Sequence, residues 1–460
     1  MDVIVHRGPD DGHFVSGYDF SLGVRRLSIV DVEGGRQPLS NESETIWAAQ
    51  NGELYNFSQV RPGLLAKGHS LRTRSDTEII PHLYEDYGFR LPEKLDGMFA
   101  MAVWDDVNKV GLLARDRMGK KPLYYHRQGD VLYFASEIKS LLHIPGFERR
   151  INYEALHHYL SYKHVPNPLS IFEGIYCLPP AHRLVFHPGK EPEVQRYWDV
   201  DFTPDPALST QSEDELVDQF LVLLKRGVER RLMSDVPVGF FLSGGLDSSL
   251  STVLAAESSG SKIKTFTLTY APNSTTHGKE QDQQWARWVA RQYGTEHHEE
   301  MVEYGRFPDD IRKILSHFDE PFAGVVSTYY LSQLISRHVK VALSGDAADE
   351  LFGSYLSHRL AFPLANYTQY LNTHETSLIR PFEDRVDYLS GMAEARDWDW
   401  RYKLLVFSDE EKQELYSPEF ALEMQGFDTR QHLKRGFDNL TSRDPLNRIL
   451  EAEFRSIFPD

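Results

Sequence analysis

Residues 236–250 read Val-Pro-Val-Gly-Phe-Phe-Leu-Ser-Gly-Gly-Leu-Asp-Ser-Ser-Leu, an apolar strand that runs into a Ser/Gly loop and then straight into a helix. That order makes a socket for phosphate. Gly244 and Gly245 carry no side chain to hold backbone N–H groups away from an anion. Ser243, Ser248 and Ser249 add hydroxyl donors at a helix N-terminus, whose dipole favours negative charge. Asp247 would repel a phosphate unless a cation lay between them, so its presence points to Mg²⁺ bridging this carboxylate to a pyrophosphate. A Walker A loop is excluded, because no lysine follows the glycines.

Ligands of an open α/β sheet lie beyond the carboxyl ends of its strands, so other strand ends must converge on this loop. Strand-like stretches at 238–242, 265–269 and 339–343 alternate with helical ones at 249–258, 281–293 and 326–338, which predicts a parallel sheet. Leu242 leads into the phosphate loop. The second strand offers Leu268, with Asp282 further on. The third leads into Ser344-Gly345-Asp346-Ala-Ala-Asp349-Glu350, with Tyr355 beyond. Ser344 and Gly345 are expected on ribose or α-phosphate, Asp349 on Mg²⁺ beside Asp247, and Asp346 and Tyr355 near the reacting atoms. Acidic residues favour the first turn of any helix, so the second acidic turn gains meaning only beside the pyrophosphate loop.

The elements that must position these residues fall into three stretches. From residue 20 to about 140, short alternating segments at 99–104, 110–114 and 131–135 read as strands. Apolar residues at Ile79, Ile80, Leu83, Tyr84 and Tyr87 suit a helix packed on that sheet. Between about 150 and 210 prolines interrupt regular structure, and the segment reads as a linker. Ser212-Glu-Asp-Glu then caps a helix that continues toward Leu232. Beyond about residue 355 the pattern is helical. The expected division is 1–150, a linker over 151–210, and 211–460.

Composition narrows the classes. The net charge of −18, from 50 basic and 68 acidic side chains, argues against a general nucleic-acid or anionic-membrane surface. No basic stretch leads an apolar run at the start, and no apolar run is long enough to span a bilayer; a cytoplasmic location follows. Cys177 is the single cysteine, in an apolar run, and is expected to be buried rather than reactive. The adjacent pairs His157-His158 and His297-His298 read as surface histidines.

Ser243–Ser249 resembles the loop of ATP pyrophosphatases, enzymes that split ATP between its α and β phosphates. Together with Leu343–Tyr355 and, earlier in the chain, His6-Arg-Gly-Pro-Asp-Asp11, Arg26-Leu-Ser-Ile-Val-Asp31, Asn51-Gly-Glu-Leu-Tyr-Asn56, Arg74-Ser-Asp-Thr-Glu78, Asp96-Gly-Met-Phe-Ala100, Arg115-Asp-Arg-Met-Gly119 and Ala135-Ser-Glu-Ile-Lys139, it makes the chain similar to glutamine-dependent asparagine synthetases over nearly its whole length. The resemblance implies an α+β N-terminal nucleophile amidotransferase-like domain of αββα type, then an α/β parallel-sheet ATP pyrophosphatase-like domain. It implies aspartate, ATP with Mg²⁺, and glutamine or ammonia as small-molecule ligands, and leaves a homodimer open. Arg26 would hold the glutamine α-carboxylate, Asp76 and Glu53 its α-ammonium, and Asn51 with Gly52 would form an oxyanion hole. The family's glutaminase nucleophile is a leading cysteine, whereas here Met1 stands a few residues before His6; glutamine hydrolysis is expected to be absent. At the other end the chain is expected to lack the family's last helices. Two alternatives stay open: an adenylating relative that closes an amide within one molecule, of the β-lactam synthetase or lasso-peptide cyclase type, and an inactive nucleotide-binding protein.

Overall fold

The computed structural model describes residues 1–270, 279–303, 305, 307–321, 326–393, 395 and 398–456. Among them the strands are β1 (Asp11–Ser16), β2 (Ser21–Arg26), β3 (Leu39–Ser40), β4 (Ile46–Leu54), β5 (Gly97–Asp105), β6 (Val110–Arg115), β7 (Tyr124–Gln128), β8 (Val131–Ala135), β9 (Ile175–Cys177), β10 (His182–Phe186), β11 (Glu193–Arg196), β12 (Val238–Phe241), β13 (Lys264–Tyr270), β14 (Glu296–Val302) and β15 (Val341–Leu343).

Alternation along β5 sets the layering of the first half. Phe99, Met101 and Val103 pack with Leu64, Ile79, Ile80 and Leu83 from the helices Phe57–Ala66 and Ile79–Tyr87. Ala100, Ala102 and Trp104 point the other way, into Leu123, Leu178 and Leu184 with half-buried Leu132 and Phe134. Helices therefore cover one face of the antiparallel sheet β11-β10-β6-β5-β4-β3, and the sheet β8-β7-β9 covers the other. On the outer side of that second sheet, Ile138 and Leu141 of the helix Ile138–Leu141 pack against Tyr124, Tyr133 and Ile175. The order is helix, sheet, sheet, helix, the expected αββα arrangement.

The second half opens with the helix Glu213–Arg231. Its capping box of Ser212 and Glu215, acidic first turn and final Arg230-Arg231 all complement the helix dipole. A parallel sheet follows in the order β14-β13-β12-β15. Phe240 packs with Val228, Leu254 and Ala255 on one side, and Leu242 with Ala286, Val289 and Ala290 of the helix Lys279–Gln292. From the helix Leu356–Thr373 to Pro445–Ser456 the described chain is helical, around Leu360, Ile379, Leu389, Trp400 and Ile449. No helix among the described residues is long and apolar enough to cross a membrane.

Segment 151–210 differs from the expected linker. It supplies β9, β10 and β11 to the first half, and its prolines mark the turns between them: Pro179 and Pro180 before β10, Pro188 and Pro192 before β11. Its helix Tyr153–Tyr162 docks on the C-terminal helices. There His157 and His158 are buried rather than on the surface, with His157 Nε2 2.9 Å from Asp409 Oδ1 and His158 Nδ1 2.9 Å from Thr429 Oγ1. Lys412, fully buried, donates to the His157 carbonyl at 3.1 Å and to Thr429 Oγ1 at 2.7 Å.

Candidate functional site

Parallel pairing of β12 with both β13 and β15, through Phe240↔Thr265 and Phe240↔Leu343, brings out the loops at their carboxyl ends side by side. Two glycines then let the segments touch. A Cβ on Gly345 would lie 2.6 Å from Ser248 N, so the turn after β15 rests on the first turn of the helix Leu246–Ser258. Gly244 has φ +92°, and a Cβ there would lie 1.9 Å from Asp282 O, so the helix Lys279–Gln292 presses on the loop from another side.

Gly245 is the N-cap of the helix Leu246–Ser258, and no side chain caps that end, which leaves it suited to an external anion. Ser243 N donates to Ser248 Oγ at 3.2 Å, the two hydroxyls lie 2.8 Å apart, and Gly245 N donates to Ser243 Oγ at 3.2 Å. These serine hydroxyls thus brace the loop as well as flanking it. Ser249 N donates to Gly245 O within the helix. Asp247 is half-buried in the first turn.

Leu242 and Leu268, expected at the ligand, have buried side chains. Leu242 is fully buried, with its N–H donated to Phe266 O and its carbonyl accepting from Thr267 Oγ1; Leu268 packs with Ile314 and Tyr330. Both support the loop from within the sheet, because the final residues of a buried parallel strand are core on both faces.

Past Ser344 and Gly345, Asp346 and Asp349 are exposed around the short helix Ala348–Phe352, whose N-cap Ala347 holds φ 84°. A left-handed alanine costs about 1 kcal/mol or more, strain of the kind that collects at functional turns. Ser354 Oγ donates to Asp349 Oδ1, and Tyr355 donates its hydroxyl to Glu350 Oε1 at 2.7 Å. Desolvation and that carboxylate push the Tyr355 phenol well above its usual range, so it acts as a hydrogen-bond donor and not as a base.

In the first half, Arg26, Asn51, Gly52, Glu53, Asp76 and Lys121 line one cavity of about 840 Å³. Gly52 admits no side chain, since a Cβ would lie 2.1 Å from Met98 O on β5. Asn51 Nδ2 reaches Ser136 Oγ at 3.4 Å. Arg26 donates to the carbonyls of Val30 and Asp31 at 2.8 Å and Val32 at 3.1 Å, fixing the 30–32 turn beside the cavity. Asp76 Oδ2 accepts from Leu54 N at 2.8 Å and Gln50 Nε2 at 2.9 Å. Burial pushes the Glu53 and Asp76 carboxyls up, a deficit that an incoming ammonium would relieve. Met1 and Ile4 line the same cavity. Cys177 does not; it is buried on β9, where Arg115 Nη1 donates to its sulfur at 3.2 Å.

Burial lowers the affinity of Lys120 and Lys121 for their protons, while Lys121 feels the charge of Glu53 and Lys120 that of Asp346. Sequence reasoning missed both lysines, although they directly follow the Arg115–Gly119 motif. Arg231 sits over the Tyr55 ring at 4.9 Å, and Lys340 pairs with Asp10 at 2.6 Å, so the halves are joined around the sites.

Residues 1–198 match the family described as a glutamine amidotransferase domain, and residues 219–460 the one described as asparagine synthase. The chain belongs to the asparagine synthase family. Within that family it is 38% identical over 359 residues to asparagine synthetase [glutamine-hydrolyzing] 1 of Bacillus subtilis (strain 168), covering 78% of this chain and 55% of the relative. It is 34% identical over 368 residues to asparagine synthetase [glutamine-hydrolyzing] 3 of the same organism, covering 77% and 59%. A putative asparagine synthetase [glutamine-hydrolyzing] 2 of Methanocaldococcus jannaschii is 32% identical over 383 residues, covering 77% and 72%. The chain thus spans little more than half the length of the two Bacillus relatives it matches.

Proposed function

We propose that this chain is an ATP-dependent amide-forming ligase that activates the side-chain carboxylate of aspartate for attack by ammonia. One observation carries the reading: the turn after β15 rests on the loop after β12, with Gly345 against Ser248. An ATP whose β- and γ-phosphates lie in the cradle of Gly244, Gly245 and Ser249 would have its α-phosphorus beside Ser344 and Asp346. A carboxylate oxygen attacks that phosphorus, the α–β bridging bond breaks, and pyrophosphate leaves with the electron pair. Ammonia displaces AMP from the resulting mixed anhydride.

Asp247 and Asp349 fit Mg²⁺, being oxygen donors with access to solvent on the two converging segments. When bound, the ion offsets the negative charge of the pyrophosphate group. The loop amides orient that group, and the Tyr355 hydroxyl, neutral and held on Glu350, stands on the segment that closes over it.

Pyrophosphate release should require ATP together with aspartate, with ammonium yielding asparagine; release that ignores aspartate but follows another carboxylate would reassign the substrate. The 460-residue chain should release no glutamate from glutamine, because its one cysteine lies outside the Arg26 cavity. Robust glutamate production would overturn that part alone. Gly345→Val should slow pyrophosphate release about a hundredfold, since its Cβ would force the two segments apart by a large fraction of an ångström or more. An unchanged rate would show that their contact is unimportant.

A further inference from the structure

On the helical side of the first half, Glu42, His69, His82 and Glu85 bring one ligand atom each to within 4.8 Å of all the others. None of them lines the Arg26 cavity. Glu42 follows β3, His69 follows the helix Phe57–Ala66, and His82 and Glu85 stand three residues apart on the helix Ile79–Tyr87. That spacing puts the last two on one helix face.

His82 is 1% exposed, and both of its ring nitrogens lack a hydrogen-bond partner. A buried imidazole in that state forfeits about 1–3 kcal/mol unless something else takes its lone pair. Its surroundings supply no hydrogen bond. His82 Nδ1 lies 3.5 Å from Glu42 Oε2 and 3.6 Å from Glu85 Oε2, and His69 Nδ1 lies 3.6 Å from Glu42 Oε1 and 3.5 Å from Glu85 Oε2. These four separations are too long for N–H···O bonds. The three that share Glu42 Oε2 and Glu85 Oε2 as single donors match edges of a ligand tetrahedron around zinc, where bonds of about 2.0–2.2 Å place neighbouring donors about 3.3–3.6 Å apart; the fourth runs to the other oxygen of Glu42.

We infer that Glu42, His69, His82 and Glu85 form a tetrahedral binding site for a borderline divalent transition ion, Zn²⁺ by preference. Two imidazoles and two carboxylates suit that ion in donor type, and their two negative charges neutralise it. Two neighbouring groups stand around the site. Asn41 Nδ2 donates to Glu85 Oε1 at 3.0 Å, which leaves Oε2 toward the histidines. Asp86 Oδ1, whose carboxylate is held by Lys67, lies 3.7 Å from His69 Nε2, behind the ring from the proposed ion. Glu42 and Glu85 are each about one-third exposed, giving the ion an entrance. Such a site would pin the turn after β3 to both helices that cover the sheet.

The test uses the whole chain, stripped with chelator and titrated calorimetrically with Zn²⁺ alone. One equivalent should bind per chain and raise the melting temperature. His69→Gln and Glu85→Gln, at partly exposed positions that tolerate change, should each weaken binding more than about tenfold and remove the thermal gain. Co²⁺ in the same site should give the strong visible absorption of a tetrahedral complex. Absence of stoichiometric binding, affinity in both variants equal to the parent's, or a weak octahedral Co²⁺ spectrum would each overturn the assignment.

Discussion

Asp247→Ala should reduce pyrophosphate release by at least about a hundredfold while leaving the chain folded. Its carboxylate stands half-buried in the first turn of the helix Leu246–Ser258, where it also complements the helix dipole, a contribution of about 0.3–1 kcal/mol. The loss of stability is therefore small against the loss of rate, and the two separate cleanly. Steady-state pyrophosphate assays beside urea unfolding of both proteins make the comparison. If the rate fell only in proportion to stability, Asp247 would be a helix-turn residue and the cation bridge would be wrong. Raising Mg²⁺ should recover little of the rate, because the variant lacks a ligand rather than affinity alone.

Glu320→Gln should make the protein more stable above neutral pH. Glu320 joins the halves, accepting from Ile171 N at 3.1 Å and from the Tyr124 hydroxyl at 3.5 Å, and burial raises its carboxyl from 4.5 to about 7. A carboxyl whose folded value is raised binds its proton more tightly in the native state. Its contribution to stability is full below pH 4.5 and is lost as pH climbs through 7. Above that range the parent holds a poorly solvated charge, at a cost of up to roughly 3 kcal/mol, less whatever water reaches this half-buried group. The glutamine variant keeps the acceptor for Ile171 and carries no charge. The difference in unfolding free energy between variant and parent should therefore grow from pH 5 to pH 8; a difference that stays flat would refute the raised value.

Local chemistry made the Ser243–Ser249 loop legible. Glycines without a side chain, serines at a helix start and an acid in its first turn are visible within seven residues; that Gly244 takes φ +92° is visible only in the fold. What the sequence hid was long-range. β14 reads Glu-His-His-Glu-Glu-Met-Val, with no apolar alternation, because it is an edge strand paired only with β13 and half exposed. The strands at 175–177, 182–186 and 193–196 are too short to stand out between prolines, and only pairing of the first to β7, the second to β6 and the third to the second makes them sheet. Leu242 and Leu268 are expected at the ligand as strand-end residues, and their side chains are buried in the core. The residues at 42 and 69 come from other elements than His82 and Glu85, so no spacing rule could join all four.

The docking of the helix Tyr153–Tyr162 bears on how the two halves could be taken apart. A cut near residue 205 would leave Lys412 in one fragment and the His157 carbonyl it donates to in the other. Asp409, 2.7 Å from the ammonium, and Thr429 would stay with it, and the lost hydrogen bond to a charged group is worth about 1.5–3 kcal/mol. A C-terminal piece begun at the proline-rich stretch would thus keep the ion pair with an incomplete shell, while one begun before Asn152 would carry the missing carbonyl along.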